Sequence, residues 1–293
     1  MKRKVAVIVD APAAVPQELV DDYDMGIVPL HAIIDGKDYL ETDVDMDWLL
    51  RRLRQRGEVP TTSAPSIGEV FRAYEWAAER AESAISIHMT SVFSKGYGAA
   101  LEARLLAREK FPGMRIEVVD SRTVEAGEMP IAVEAARLAM QGADFDEVVR
   151  KTYELRDAMC ALFCFETLFY RDKGGRIFKA KPWADAESHS GMGFKAMIEV
   201  DHSTEGTVQL ISRAKAKKQL LKKMVQTASE RLKGRAFSGA IVHVNAARDA
   251  ECLARMLNDG LMCSNLRISH GRAVTAIQNG EGFVTFGFHP ITD

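Results

Sequence analysis

Through the first half of the chain, short apolar blocks alternate with longer stretches of helical periodicity. Val5–Val9 reads as a strand stopping at Asp10, followed by a helix near Pro16–Tyr23. Ile27–Ile34 reads as a second strand closed by the turn Asp35-Gly36-Lys37, and Trp48–Arg54 as a helix. Ser66-Ile67-Gly68-Glu69 has the spacing of a capping box, so a longer helix is expected over Ile67–Ala81. Ala84–Met89 is a strand, Tyr97–Lys110 a helix, and Ile116–Val119 a strand ending at Asp120. Helices follow over Glu128–Met140 and Phe145–Arg156. Strands alternating with helices of this length predict a mostly parallel sheet covered on both faces.

The texture changes after residue 157. Apolar stretches lie at Met159–Phe165, Met197–Val200, Val208–Ser212, Ala240–Val244, Leu266–His270, Val274–Ile277 and Phe283–Phe288. Several are too close together for a helix between them, which predicts antiparallel pairing. Lys215–Leu232 and Asp249–Leu257 are the helices expected here. The pattern therefore divides the chain into residues 1–157 and residues 158–293.

Composition narrows the function classes. A formal net charge of −2 and a pI near 6.4 give no basic field to recruit nucleic acid or an anionic membrane. The basic start Met1-Lys2-Arg3-Lys4 precedes only Val5–Val9, too short for a signal-peptide core. No run approaches the roughly 18–20 apolar residues of a spanning helix, so no membrane insertion is expected and the expected compartment is the cytoplasm. Cys160, Cys164, Cys252 and Cys263 form no CxxC pair, and all four are expected to be small buried hydrophobes. The histidines are scattered, and no metal site or cofactor is expected.

Several motif matches dissolve on inspection. Asp43-Val44-Asp45-Met46-Asp47 starts like a calcium loop but lacks the glycine and carries Arg54 at the last ligand place, so an acidic helix N-terminus is the better account. Gly191-Met192-Gly193-Phe194-Lys195-Ala196 loosely matches a dinucleotide loop without the strand that should precede it. No P-loop, GxSxG elbow or HExxH helix occurs.

What remains is a set of hydroxyls at strand ends. Thr90-Ser91-Val92-Phe93-Ser94-Lys95 leads from a strand into a helix, where free amides and three hydroxyls converge on a place suited to an anion. The plainer account is that Thr90 or Ser94 caps the helix. Thr61-Thr62-Ser63 precedes another helix whose cap is Ser66, so the two threonines have no capping role of their own; a solvated loop is the plain alternative. Lys173-Gly174-Gly175-Arg176-Ile177 offers an arginine that can pair with a carboxylate, or is simply an exposed turn.

Taken in order, these pieces resemble the DegV family along almost the whole chain. The resemblance rests on the strand ending at Asp10, Val28-Pro29-Leu30 with Ile34-Asp35-Gly36, and Pro60-Thr61-Thr62-Ser63-Ala64-Pro65-Ser66. Ser91, Ser94 and Tyr97, then Val119-Asp120-Ser121 with Gly127, and Lys173-Gly174-Gly175-Arg176-Ile177 complete it. It implies two domains: a three-layer α/β/α domain with a parallel sheet over residues 1–157, and a two-layer α/β domain with a mixed sheet over residues 158–293. It further implies a carrier without catalytic residues that buries one long-chain fatty acid between the domains. Thr62 and Ser94 fall at the carboxylate contacts, with Thr61, Ser63, Ser91, Lys95, Arg176 and Gln278 around them. Relatives present that carboxylate to a separate fatty-acid kinase. Phe71, Phe93, Phe163, Phe165, Phe194, Met197, Phe283 and Phe286 are candidate liners of the acyl tunnel.

The chain departs from the family pattern at three places. Ala11 rather than serine follows Asp10, Val92 and Lys95 stand where the serine loop carries glycines, and Gln278-Asn279-Gly280-Glu281-Gly282 replaces a segment that opens on histidine. Two rivals follow. One is an acyl-transfer or hydrolytic enzyme with Ser94 as nucleophile and His88 as the nearest base in sequence. The other is a carrier of a different amphipathic anion, with Lys95 retuning its selectivity.

Overall fold

The computed structural model describes residues 2–55, 59–167 and 194–291. In chain order the first half gives β1 (Arg3–Asp10), α1 (Gln17–Asp22), β2 (Gly26–Val28), β3 (His31–Ile34), β4 (Lys37–Leu40), α2 (Met46–Arg54) and β5 (Thr61–Ser63). It continues with α3 (Ile67–Arg80), β6 (Ala81–His88), α4 (Gly96–Lys110), β7 (Arg115–Asp120), α5 (Glu128–Met140) and α6 (Phe145–Ala158). The second half gives β8 (Cys160–Phe165), β9 (Lys195–Glu199), β10 (Gln209–Ala214), α7 (Lys217–Leu232) and β11 (Phe237–His243). α8 (Ala247–Gly260), β12 (Cys263–His270), α9 (Ala273–Asn279) and β13 (Val284–Pro290) close the chain.

Three sheets result. β2-β1-β6-β7 is parallel throughout, as the strand–helix alternation requires. One face packs on α3 and α4 through Ala6, Ile8, Tyr74, Ala100 and Val118. The opposite face packs through Val5, Val7, Val9, Ile85 and Ile87 on α5, whose Met129, Ile131 and Ala132 are fully buried. That is the three-layer α/β/α half. The second half is a mixed sheet ordered β10-β9-β8-β13-β11-β12, antiparallel except where β11 and β12 run parallel across α8.

Strand periodicity sorts the second half into two cores. In β8, Cys160, Leu162 and Cys164 face α7 and α8, whereas Ala161, Phe163 and Phe165 face the first half. The inward set joins Ala196 and Ile198 of β9, Phe283, and Val274 and Ile277 of α9. From the first half it meets Leu30, Ala32, Ile34, Leu49, Leu53 and Met89. A continuous apolar layer therefore lies between the two halves.

The structure differs from the sequence expectations in particular places. The single strand expected over Ile27–Ile34 breaks at Pro29, which has no amide to donate to a ladder. Its parts join different sheets, β3 pairing with β4 and with β5 in a small antiparallel sheet. Thr61–Ser63 is thus a strand, not a loop. Val274–Ile277, an apolar stretch in sequence, belongs to helix α9. Cys160 and Cys164 are buried, but Cys252 and Cys263 are only half-buried, which corrects the expectation for those two. The capping box at Ser66 and the acidic start of α2, where Asp45 accepts the Trp48 amide at 2.7 Å, form as expected.

Candidate functional site

The serine loop is shaped by acceptors at the carboxyl ends of β1 and β7. Asp10 accepts the Met89 amide at 2.9 Å, holding the end of β6 against β1. Asp120 accepts the Ser91 amide at 3.3 Å and the Arg122 amide at 2.9 Å. The fully buried Thr90 donates its hydroxyl to the Gly206 carbonyl at 3.2 Å, so its role is to tie the loop to the second half. Ser94, also buried, accepts the Gly96 amide at 3.1 Å on Oγ. It satisfies one free donor at the start of α4, while its own proton remains available.

Thr62 is set by strand pairing. It lies opposite Ala32, a fully buried residue of β3, and shares the inward face with it. Thr61 and Ser63 alternate to the other face and are exposed. β3 is in turn fixed to α3 by His31, whose ring nitrogens lie 2.8 Å from Asp38 and 3.1 Å from Glu69. The two hydroxyl segments approach one another at Gly96: a Cβ there would lie 3.3 Å from Ser94 Oγ and 3.6 Å from Pro65 Cδ.

The third contributor is α9. Buried Glu41 accepts the Leu30 amide at 3.2 Å and the Val274 amide at 3.3 Å, pinning the first turn of α9 to the first half. Asn279 donates to Glu125 at 2.7 Å, and Arg54 meets Glu281 at 2.5 Å just beyond the helix. Gln278, held between these anchors, donates from Nε2 to Thr62 Oγ1 at 2.7 Å. Beside this contact a cleft is lined by Pro12, Met89, Phe93, Val124, Glu125, Val274, Thr275 and Gln278.

The structure therefore joins Thr62 and Gln278 directly and sets Ser94 beside Pro65. Ser91 and Lys95 are exposed, Lys95 preceding α4 without a side-chain cap bond. Arg176 lies outside the described residues. Among the proposed liners, Phe93, Phe163, Phe165 and Phe283 belong to the apolar layer between the halves, with Phe165 and Phe283 at a ring distance of 5.1 Å. Met197 and Phe286 face α7 and α8, and Phe71 packs with α3 and α4, so these three are ordinary core. Phe194 has Lys215 over its ring at 5.9 Å. Sequence reasoning missed Glu41, Glu125 and Thr275; a lone glutamate in a turn and a threonine inside an apolar helix give no signal of their partners.

Beneath the loop sits a buried acidic group. Burial pushes the Asp10 carboxyl up to about 7, and burial together with Asp10 pushes Glu128 well above the usual carboxylate range. His88 is fully buried and pushed down to about 4 by loss of solvent, with its Nε2 2.7 Å from Ser86 Oγ. It therefore serves Ser86 rather than Ser94. A second buried cluster, Cys160, Glu199 and Asp201, has metal-like spacing. Its acceptors already have protein donors: Arg231 reaches Glu199 at 2.9 Å, and the Ser203 and Ala161 amides reach Asp201 at 2.9 and 3.3 Å. Burial also pushes the Cys160 thiol far up, and the thiol donates to Glu199 at 3.3 Å.

Such an architecture, a parallel α/β/α half meeting a mixed-sheet half across an apolar layer with hydroxyls at one edge, defines a two-part α/β protein with an interdomain cleft. A model of the DegV family of uncharacterised proteins matches residues 4–290, and the chain belongs to that family. A DegV domain-containing protein of Clostridium perfringens is 29% identical over 88% of this chain and 89% of its own. In fold the chain is similar to a DegV family protein of Thermus thermophilus described as binding fatty acid, with a TM-score of 0.87 at 24% identity over 98% of this chain and 100% of that one. A DegV family protein of Ruminococcus gnavus, refined with vaccenic acid, also superposes with a TM-score of 0.87, at 21% identity over 98% and 100% of the two chains. Among the described residues no helix is long and apolar enough to cross a membrane.

Proposed function

We propose that this chain binds one long-chain fatty acid in the apolar layer between residues 1–157 and 158–293, with the carboxylate at Thr62 and Ser94. The observation that carries the reading is the state of the two hydroxyls. Thr62 Oγ1 accepts from Gln278 and Ser94 Oγ accepts from Gly96, so each oxygen is oriented while each proton is left to donate. A carboxylate taken out of water needs such donors, since an unpaired one costs several kcal/mol. Strength comes from the tail at about 0.8 kcal/mol per buried CH₂. The hydroxyls set orientation, and Phe93, Phe163, Phe165 and Phe283 supply apolar wall. Relatives of the same fold described with bound fatty acids support the ligand class.

The protein carries this ligand rather than transforming it, and presents it in the cytoplasm to a separate fatty-acid kinase. Hydrolysis or acyl transfer through Ser94 needs a base in reach, and the nearest candidate in sequence, His88, is engaged with Ser86. Titration of delipidated protein with hexadecanoic acid tests the proposal. Saturable binding at one site per chain is expected, and no saturable binding sinks it.

A further inference from the structure

We infer that Thr275 and Gln278 form a hydroxyl-recognising subsite, and that the preferred ligand is a long-chain fatty acid hydroxylated close to its carboxylate. The inference deepens the fatty-acid reading and rests on it.

Thr275 and Gln278 are three residues apart on α9, so their side chains share one face of the helix at about 5–6 Å between Cβ atoms. Both line the cleft beside Met89, Phe93 and Val124. Thr275 is 1% exposed, yet its Oγ1 has no hydrogen-bond partner. A helical threonine commonly satisfies its hydroxyl on the carbonyl one turn back, and this one does not. Leaving such a group unpaired costs about 1–3 kcal/mol, so its position calls for a partner from the cleft.

Gln278 has the complementary need. Its Nε2 is committed to Thr62, while its Oε1 is buried without a partner. Oε1 is an acceptor only. A bare carboxylate has no proton to offer and would set oxygen against oxygen. An alcohol hydroxyl satisfies both residues at once, donating its proton to Gln278 Oε1 and accepting the proton of Thr275. Because the same amide reaches Thr62 with its other end, the ligand hydroxyl lies about one amide width from the carboxylate contact. That distance corresponds to carbon 2 or carbon 3 of the acid.

The test titrates delipidated wild type, Thr275→Val and Thr275→Ser with hexadecanoic acid and its 2-hydroxy and 3-hydroxy derivatives. At least one hydroxy acid is expected to bind wild type about tenfold or more tighter than the plain acid. Thr275→Val is expected to bring that ratio close to one, and Thr275→Ser, which keeps the hydroxyl, to retain the preference. Equal or better binding of the plain acid to wild type overturns the inference and leaves the fatty-acid reading standing. If none of the three acids binds, the fatty-acid reading fails and this inference with it.

Discussion

Gln278 Nε2 lies 2.7 Å from Thr62 Oγ1, a hydrogen bond that joins α9 to β5 across 216 residues of sequence. The bond makes the proposed head-group site a property of both halves together. It presets the Thr62 hydroxyl, and it depends on the Glu41 and Asn279 contacts that hold α9 in place.

Removing both hydroxyls tests the head-group assignment. Hydrogen bonds to a charged group contribute about 1.5–3 kcal/mol each, so Thr62→Ala with Ser94→Ala is expected to weaken hexadecanoate binding by about a hundredfold or more. Isothermal titration of the delipidated double variant measures it, and wild-type affinity would reject the assignment.

Glu41 should matter to stability more than its turn position suggests. Glu41→Ala leaves the Leu30 and Val274 amides without acceptors, at about 1–3 kcal/mol each. Urea unfolding is expected to show a loss of about 2–4 kcal/mol, with weaker ligand binding because α9 is released. A variant as stable as wild type would contradict this role.

The buried carboxyls give a signed pH dependence. Asp10 rises from 3.8 to about 7 on folding, so the native state holds a proton that the unfolded chain has released. Its contribution is fully present below pH 3.8 and is lost as pH rises through about 7. Glu128 shifts in the same direction. Glu128→Gln is therefore expected to stabilise the protein at pH 8 by about 1 kcal/mol or more and to flatten the decline between pH 5 and 8. Thermal melts across that range would count against the account if the variant lost stability at pH 8.

Gly206 is expected to tolerate no side chain. Its φ is +71°, and a Cβ would lie 2.2 Å from Thr90 Oγ1, which bonds its carbonyl. Gly206→Ala should cost about 1–3 kcal/mol and weaken lipid binding by displacing the serine loop. Unchanged melting temperature and affinity would refute the link between that turn and the loop.

Kinase presentation has its own readout. Wild type and Gln278→His, each loaded with fatty acid, are offered to a fatty-acid kinase with ATP. Acyl-phosphate formation by the wild type is the expected result, and formation only after Gln278→His would contradict presentation by this chain and place the defect at that position. No product from either contradicts presentation to a kinase.

Local signals carried much of the fold. The alternation of Val5–Val9, Ala84–Met89 and Ile116–Val119 with helical stretches marked the parallel sheet, and the capping box at Ser66 marked the start of α3. Pro29 was visible in the sequence, but its effect of sending β2 and β3 to different sheets needs tertiary pairing to be seen. The candidate site was legible in its hydroxyls because Thr62 and Ser94 sit in motifs at element boundaries. It was illegible at Thr275 and Glu41, whose importance lies in an unpaired oxygen and in two amides brought from distant segments. The liners show the same limit: Phe163 and Leu162 are neighbours in β8, yet they face different cores.

The measurement that bears most directly on the account is mass spectrometry of organic extracts from freshly purified protein. A long-chain fatty acid near one equivalent per chain, depleted in the Thr62→Ala, Ser94→Ala double variant, is the predicted result. Extracts that hold no fatty acid, from protein that also takes up none when it is supplied, would contradict it.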